Sequence, residues 1–341
     1  MTNAAIRNEV VAFRRGHNGT LTLMNTYETG GGGTGEHIVD PLGSQGSLIL
    51  SHNDRFLFAV NAGSNSISSF QVSKNGKLTL VDVESSGGVM PNSITVFRNL
   101  LYVTNVGDPE NNIASNITGY HVNNDGSLTH IDGSEHSLST SNSVPACVVF
   151  SPDGRQLVVS ELNTNRLSVF KVKIDGTLMG PTINNSSGEG PFGLTFLSTG
   201  VLLVAEAISN ALSSYTVNDN GTLNVISTSV QNGQTATCWV VHSRLQHFAY
   251  TSNTGSGTIT TYRIKNNGTL ALLKIVYSTQ KEIAAPIDSG VSKDGCNFYV
   301  LNGNQGSITA FCIGNDGHLI QLQVIKNTGL PTLGAQGLAV R

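Results

Sequence analysis

One short turn occurs seven times along the chain and constrains the fold more than any other feature. The glycines of this turn are residues 19, 76, 126, 176, 221, 268 and 317, so successive copies lie 45 to 57 residues apart. An Asn-Gly or Asp-Gly pair between two alternating β-runs is the strongest local sign of a hairpin, because glycine supplies the positive φ that the turn needs. The copies read HNGTLTL, KNGKLTL, NDGSLTH, IDGTLMG, DNGTLNV, NNGTLAL and NDGHLIQ. The chain therefore consists of seven similar β-units.

The segments before each turn also keep a constant order: an apolar run, a turn, a second run such as RFLFAVN or RQLVVSE, and a third such as SISSFQV or RLSVFKV. Each unit is thus a four-stranded antiparallel meander. Seven such meanders predict an all-β fold, a seven-bladed β-propeller that forms one domain over residues 1–341. The chain begins within a unit and finishes on AQGLAVR, so we expect this C-terminal strand to close the ring by joining the N-terminal strands.

Charge and hydropathy exclude several classes of partner. The formal net charge is −3 and charged residues make up only 12% of the chain, so the basic surface that nucleic-acid binding needs is not expected. No apolar run approaches the ~20 residues that span a bilayer, and the first residues lack the pattern of a signal peptide. Two compartments remain as alternatives: the cytoplasm, or the outside of the cell after loss of a leader. Secretion remains an alternative because Asn-X-Ser/Thr sequons begin at Asn18, Asn116, Asn184, Asn185, Asn220 and Asn267.

The four cysteines, Cys147, Cys238, Cys296 and Cys312, lack the spacing of a metal site. We therefore predict no metal and no cofactor. Cys296 and Cys312 flank one predicted hairpin and would lie opposite each other, close enough for a disulfide. The alternative is a pair of reduced thiols.

In a propeller, the second strand of each blade ends on the face where the first strands begin, which we call the mouth face. Glu161 and Glu206 end the second strands of consecutive blades, and the equivalent residues of other blades are Asn61, Asn105, Asn253 and Asn302. Short polar side chains at strand ends bond the backbone of the following turn, as Asn does well. The two glutamates are either solvated or a catalytic carboxylate pair.

The starts of the first strands line the same mouth. They supply Asn92, Cys147, Phe192, Asp288 and Gln336, a polar ring without Lys or Arg. Such a ring suits a neutral or hydroxylated small molecule better than a phosphate ester. His37 and His136 lie in the two long connections on this face, where a histidine is either solvated or a general base.

The repeat CVVFSPDGRQLVVSELNTNRLSVFKVKIDGTL resembles the lactonase family of seven-bladed propellers, which includes 6-phosphogluconolactonase and carboxy-cis,cis-muconate cyclase, and the resemblance extends over all seven units. The resemblance implies a catalytic His at the start of one first strand, an Arg after a Gly-Pro at the start of the next, and a Glu ending the following second strand. In this chain those positions hold Ala146, Phe192 and Glu206.

Two functions follow as expectations. The first is a lactonase-like or cyclase-like enzyme acting on a small non-phosphorylated lactone at the mouth. Glu206 would be the base, Glu161 and His136 would support it, and Asn92, Cys147, Phe192, Asp288, Gln336 and His37 would contact the substrate. The second is a non-catalytic propeller that binds a small ligand or a protein on the same face, since a fold does not carry its function with it.

Overall fold

The computed structural model describes residues 1–279 and 284–341. The chain is an all-β propeller whose blades are four-stranded antiparallel sheets, as the repeat predicts. Two short 3-10 helices, Ala62–Ser64 and Pro109–Asn111, follow second strands in the first two blades.

Six sheets in the described residues contain four consecutive strands in the order of the chain, so each is a simple meander. The short strand β11 (His136–Ser137) adds to the second of them by pairing with its third strand. The six sheets are β3–β6 (Leu48–Leu50, Phe56–Asn61, Ser66–Val72, Leu78–Ser85), β7–β10 (Pro91–Phe97, Leu100–Asn105, Asn116–Val122, Leu128–His130), β12–β15 (Pro145–Phe150, Gln156–Glu161, Arg166–Val172, Leu178–Asn185), β16–β19 (Pro191–Phe196, Val201–Glu206, Ala211–Val217, Leu223–Gln231), β20–β23 (Thr237–His242, Phe248–Asn253, Thr258–Ile264, Leu270–Tyr277) and β24–β27 (Pro286–Val291, Asn297–Asn302, Ser307–Ile313, Leu319–Ile325).

Burial changes steadily from the inside of each blade to the outside. In five of the six sheets all residues of the second strand are buried, and in β13 only the first residue, Gln156, is partly exposed. Fourth strands such as β6 alternate between partly buried and exposed positions. The second strand is covered on both faces by neighbouring blades, so it carries apolar residues in a continuous run, whereas the outer strand has one face in water.

The seven repeated turns have the backbone geometry that their sequence predicts. Their glycines have φ values between 83° and 96°, a region that side chains with a Cβ rarely adopt. Each turn joins the third and fourth strands of a blade, and the first of them joins β1 (Glu9–Arg15) to β2 (Leu21–Glu28).

The two-stranded sheet β1–β2 lies between the last four-stranded sheet and the first. The hydroxyl of Tyr299 in β25 donates a hydrogen bond of 2.9 Å to the carbonyl oxygen of Gly19. On the other side, Nδ2 of Asn8 donates to the carbonyl oxygen of Val60 in β4 at 3.0 Å. Elsewhere consecutive sheets contact each other through their first strands, so β1–β2 bridges the gap between the two ends of the series.

The expected closure by a C-terminal strand is not confirmed. Residues 335–341 form no strand in the described part of the chain. They run beside the N-terminus, where the amide of Gln336 donates to the carbonyl oxygen of Met1 at 3.1 Å and the Met1 amino group donates to the carbonyl oxygen of Gln336 at 2.7 Å. Among the described strands β1 pairs with β2, and on its other edge the amide of Thr2 donates to the carbonyl oxygen of Glu9 at 2.9 Å.

Cys296 and Cys312 are free thiols, so the reduced alternative is the observed one. Cys312 lies opposite Asn297 in the β25–β26 register, one residue away from the position that a cross-strand disulfide with Cys296 would need.

Candidate functional site at the centre of the mouth face

The centre of the mouth face is filled by the chain itself. Residues 40–46, part of the long glycine-rich connection after β2, lie against the starts of the first strands. Nε1 of Trp239 donates to the carbonyl oxygen of Ser44 at 3.0 Å. Gln45 donates through Nε2 to the carbonyl oxygen of Leu194 at 2.9 Å and accepts at Oε1 from the amide of Val240 at 2.9 Å. We call residues 40–46 the central loop.

Two of the predicted substrate contacts instead hold this loop. Asn92 is completely buried, and its Nδ2 donates to the carbonyl oxygens of Pro145 at 2.6 Å and of Leu42 at 3.4 Å. Gln336 is also completely buried, and its Nε2 donates to the carbonyl oxygen of Ser44 at 2.9 Å. The ring of first-strand starts that the sequence predicts does exist, but the central loop occupies the space inside it.

Asp288, another member of this ring, lies close to Asp40 of the central loop. Its Oδ2 accepts a hydrogen bond of 3.0 Å from the amide of Gly337, and its side chain is 3% exposed. Burial, and then the charge of Asp40, raise the pKa of Asp288 to about 8. Two carboxyl groups near each other in a poorly solvated place cannot both ionise easily, so one of them keeps its proton.

Asp40 is the more accessible of the two acids. Its residue is only partly buried, and its Oδ1 accepts from the amide of Ser44 at 3.4 Å. Desolvation raises the pKa of Asp40 to about 7, against the opposing effect of hydrogen bonds from Ser44, Gln336 and Gly43. The arrangement thus places an acid with a pKa near neutrality beside the hydrogen bonds of the central loop.

The remaining predicted ring residues are packed into the core. Phe192 is 3% exposed, and its ring lies edge-to-face against Trp239 with centroids 5.1 Å apart. Cys147 is 1% exposed, and burial raises the pKa of its thiol to about 12. A thiol with such a pKa is not a nucleophile at neutral pH.

Glu161 is completely buried at the end of β13 and is surrounded by donors. It accepts hydrogen bonds from the hydroxyls of Ser168 and Thr164 and from both the amide and the hydroxyl of Ser139. Its two oxygens are therefore occupied by bonds to the third strand and to the connection that follows the previous blade.

Glu206 has the same surroundings one blade further on. It is completely buried, and it accepts from the amide of Gly188 at 2.8 Å, from the hydroxyl of Ser213 at 2.7 Å, and from the hydroxyls of Ser186 and Ser229. The two glutamates lie in separate pockets of hydroxyl and amide donors instead of facing one open channel. The described bonds of Glu206 include neither a histidine nor a cation.

Three of the asparagines at equivalent positions make a similar network with fewer hydrogen bonds. Nδ2 of Asn253 donates to the hydroxyls of Thr258 and Thr260, at 3.0 and 2.8 Å, so the amide bonds the third strand rather than the backbone of the turn. Asn61 and Asn302 bond the hydroxyls five and seven residues later in the same way. A serine seven residues after the strand end also follows both glutamates, and Ser168 and Ser213 each donate to the carboxylate.

Neither predicted histidine reaches the glutamates in the described contacts. His136 lies in β11, paired opposite Ile117, with its ring 5.8 Å from that of Phe170, and burial lowers its pKa. His37 is an exposed residue in the connection before the central loop.

Within residues 1–279 and 284–341, no group of three or more His, Cys, Asp or Glu side chains is arranged to hold a metal ion. The same residues contain no helix with the length and apolar character of a membrane span.

Solved structures share this fold over nearly the whole chain. A periplasmic gluconolactonase from Pseudomonas aeruginosa superposes with a TM-score of 0.74 at 18% identity, covering 95% of this chain and 94% of that one. A Bacteroides uniformis protein provisionally named a 6-phosphogluconolactonase gives a TM-score of 0.72 at 19% identity, covering 94% and 92%. A protein of unknown function from Desulfotomaculum acetoxidans gives 0.72 at 13% identity, covering 98% and 99%. At these identities the likeness extends to the fold.

No curated protein matches the chain significantly. The model of the family described as Lactonase, 7-bladed beta-propeller, matches residues 6–132 and 110–242, which together span more than half of the 341 residues. The chain therefore belongs to the lactonase family of seven-bladed β-propellers.

Proposed function

We propose that this protein hydrolyses a small, non-phosphorylated lactone on the mouth face, with Asp40 as the general base. The observation that carries the proposal is the pair Asp40 and Asp288 at the centre of the ring. Asp40 is a partly buried residue whose pKa is raised to about 7 by desolvation, and a general base works best when its pKa lies near the working pH. Family membership supports the reaction class, and the gluconolactonase with the same fold is consistent with it.

In the proposed reaction, ionised Asp40 accepts a proton from a water molecule as the water oxygen attacks the lactone carbonyl carbon. The ring C–O bond then breaks, and Asp40 returns the proton to the alkoxide oxygen that leaves, giving the open hydroxy acid. Asp288 keeps its own proton in this range, because its pKa is raised to about 8. It therefore adds no second negative charge near the carboxylate product.

Substrate preference follows from the side chains around the centre. Phe192 stands where the family resemblance implies an arginine, and the first-strand starts carry no Lys or Arg. A phosphate dianion would lack a bidentate partner there. A neutral lactone needs only hydroxyl and amide groups as binding partners. The side chains at the centre therefore suit a neutral lactone better than 6-phosphogluconolactone.

A second candidate is a non-catalytic propeller that binds a ligand on the mouth face. The central loop favours this function, because it fills the channel with hydrogen bonds from Trp239, Gln45 and Gln336. The burial of Glu161 and Glu206 and their several hydrogen bonds within the protein also favour it.

The proposal also counts seven blades in this chain. On this account β1 and β2 are the third and fourth strands of a seventh blade, because the repeated turn joins them, and residues 335–341 run where its first strand belongs. Blade closure through these residues is thus part of the proposal.

The test is a screen of the purified protein against neutral and acidic lactones, with ring opening followed by proton release. Asp40→Asn should abolish turnover, and the asparagine should preserve the loop because it tolerates the positive φ of 56° at this position. Turnover by the unmodified protein should rise as the pH passes through about 7. The matched control is Asp132→Asn, at a fully exposed acid in an outer turn.

Unchanged turnover in Asp40→Asn would remove Asp40 from the mechanism. If no lactone is opened by protein that circular dichroism reports as folded, the second candidate replaces the first.

A further inference from the structure

The face of the propeller opposite the mouth is formed by short turns. In each four-stranded sheet the connection between the first and second strands and the repeated turn between the third and fourth strands both emerge there, because the strands run antiparallel. We call this surface the turn face. Its turns are residues 16–20, 51–55, 73–77, 98–99, 123–127, 151–155, 173–177, 197–200, 218–222, 243–247, 265–269, 292–296 and 314–318.

Basic residues are concentrated on the turn face. In the part of the chain that the structure describes, every Lys and Arg lies in one of these turns or within two residues of one, apart from Arg7, Arg166, Lys274, Lys326 and Arg341. Arg341 reaches the same face, since its Nη2 donates to the carbonyl oxygen of Lys74 at 3.0 Å. The turns contain no glutamate. The net charge of −3 for the whole chain therefore conceals a basic face.

The acids of the turn face are aspartates, several of which are bonded to their own turns. Oδ1 of Asp125 accepts from the amide and the hydroxyl of Ser127 at 3.0 and 2.7 Å. Oδ1 of Asp175 accepts from the amide and the hydroxyl of Thr177 at 2.9 and 2.7 Å. The bases outnumber the aspartates on this face. Part of the positive charge is therefore left uncompensated.

Several of these bases are available to a partner. The exposed side chains of Lys74, Lys173, Arg244 and Lys265 take part in no ion pair within the described residues. They belong to three different blades, so the free charge is spread over a broad surface and suits an extended anionic partner better than a small anion.

Two turns of this face carry an apolar side chain directly after a base. Ile174 follows Lys173 and is 109% exposed, and Leu245 follows Arg244 and is 75% exposed. One exposed apolar residue is common on a protein surface. Two that protrude beside bases from one face match the chemistry of a bilayer surface, where apolar groups enter the boundary of the acyl chains and bases contact anionic headgroups.

The turn face differs from a surface that binds nucleic acid. Its turns contain no Trp, Tyr or Phe, so it offers no exposed aromatic ring on which a base could stack. The phenylalanines that flank the turns are covered by guanidinium groups: Arg55, Arg98 and Arg263 each lie over a Phe ring, 5.2, 5.2 and 5.3 Å from its centroid. The features together favour a lipid surface over a nucleic acid.

We propose that the turn face binds the surface of a membrane that contains anionic lipids. The Lys and Arg side chains contact the headgroups, Ile174 and Leu245 enter the interfacial layer, and the mouth face points away from the bilayer into solvent. The protein lies on the membrane and does not span it. This interaction site is distinct from the mouth face and does not depend on lactone hydrolysis.

The test is co-sedimentation of the purified full chain with two kinds of vesicle. One is made of equal parts of phosphatidylcholine and phosphatidylglycerol, and the other of phosphatidylcholine alone. The protein should sediment with the anionic vesicles at low salt and stay in solution with the neutral ones. Binding should weaken as sodium chloride is added, because salt screens the attraction between the bases and the headgroups.

Two matched pairs of variants in one blade locate the surface. Lys265→Glu changes the charge of the turn face and should weaken binding about fivefold or more, whereas Lys274→Glu makes the same change on the exposed outer strand β23 and should leave binding unchanged. Leu245→Ser should weaken binding several-fold, and Leu272→Ser, at a 46% exposed residue of β23, should not. Circular dichroism of each variant checks that it is folded.

Three results would overturn the proposal. They are no binding to the anionic vesicles at low salt, equal binding to the neutral vesicles, and equal losses in Lys265→Glu and Lys274→Glu. A mobility shift of a double-stranded DNA fragment, at a salt concentration where the anionic vesicles bind no protein, would assign the turn face to nucleic acid and would also overturn it.

Discussion

The centre of the mouth face and the cavity between β1 and residues 337–341, which we call the blade cleft, differ in how they are filled. At the centre, where the pattern of strands predicts an open channel, the central loop fills the space and places carbonyl and amide groups against Trp239, Gln336 and Asn92. At the blade cleft, a cavity of about 710 Å³ lies between walls that include Leu48, Leu57, Leu301 and Ile308.

The comparison shows that the sequence repeat determines the strands of the propeller but not how the centre and the blade cleft are filled. A connection between blades can fold inward when its polar backbone finds partners there, because buried N–H and C=O groups must be hydrogen-bonded. The blade cleft offers the reverse condition, because its walls carry apolar side chains around an open space. The centre should therefore respond to substitution as a core, and the cleft as a surface.

The largest expected effect is at the centre. Trp239→Ala removes a side chain that is 1% exposed, together with its bond to Ser44, so it should lower the free energy of unfolding by about 3–5 kcal/mol. Urea unfolding followed by circular dichroism measures this, with Leu245→Ala, at a 75% exposed turn residue, as control. A loss below ~1 kcal/mol would mean that the central loop is only loosely attached.

A matched pair of substitutions that enlarge a side chain compares the two regions directly. Ala146→Leu adds methyl groups at a completely buried position near the centre and should cost about 1–3 kcal/mol by overpacking. Ala12→Leu makes the same change in the cleft wall, where there is room, and should be neutral or slightly stabilising. Equal losses in the two variants would contradict the contrast between a filled centre and an open cleft.

The smallest expected effect is in the pH dependence of stability. The pKa of Asp288 is about 8 in the folded protein against an ordinary value of 3.8, so between these values the folded protein holds a proton that the unfolded chain has released. The unmodified protein should therefore lose stability as the pH rises from about 4 to about 8, by at least ~1 kcal/mol relative to Asp288→Asn.

Asp40 acts in the same sense, and the Met1 amino group, whose pKa burial lowers to about 5, acts in the opposite sense between about 5 and 8. Both groups are present in both proteins, and both interact with Asp288, so the difference between the two unfolding curves reports Asp288 together with its coupling to Asp40 and Met1. Curves that stay parallel over this range would show that Asp288 is ionised at neutral pH in the folded state.

Much of the fold could be predicted from the sequence because it depends on local chemistry. The repeated Asn/Asp-Gly turn requires positive φ, and the apolar run of each second strand requires cover on both faces, so the meander and the propeller follow. The closing strand could not be predicted in the same way. Residues 335–341 have the right composition, but pairing depends on a neighbour in the right register, and in the structure Gln336 bonds the backbone of Met1 without forming a strand.

The candidate site was predicted in part. The sequence placed Asn92, Asp288 and Gln336 around one centre, and the structure does bring them there. The sequence did not indicate Asp40 and Gln45. The local sequence of a glycine-rich connection carries no sign that the connection folds into the ring. The hydrogen bonds of Glu161 and Glu206 could have been predicted from the serine seven residues later, which donates to each carboxylate.

The sequence by itself therefore determined the repeating unit, its turns and the family, since each follows from the φ preference of glycine and from hydrophobic periodicity over a few residues. Only the tertiary structure decided that the channel is filled, that Asp40 lies close enough to Asp288 to raise its pKa, and that a cavity lies beside β1. These properties depend on distances between residues that are far apart in the chain, and burial acts on charges and backbone groups only once those distances are set.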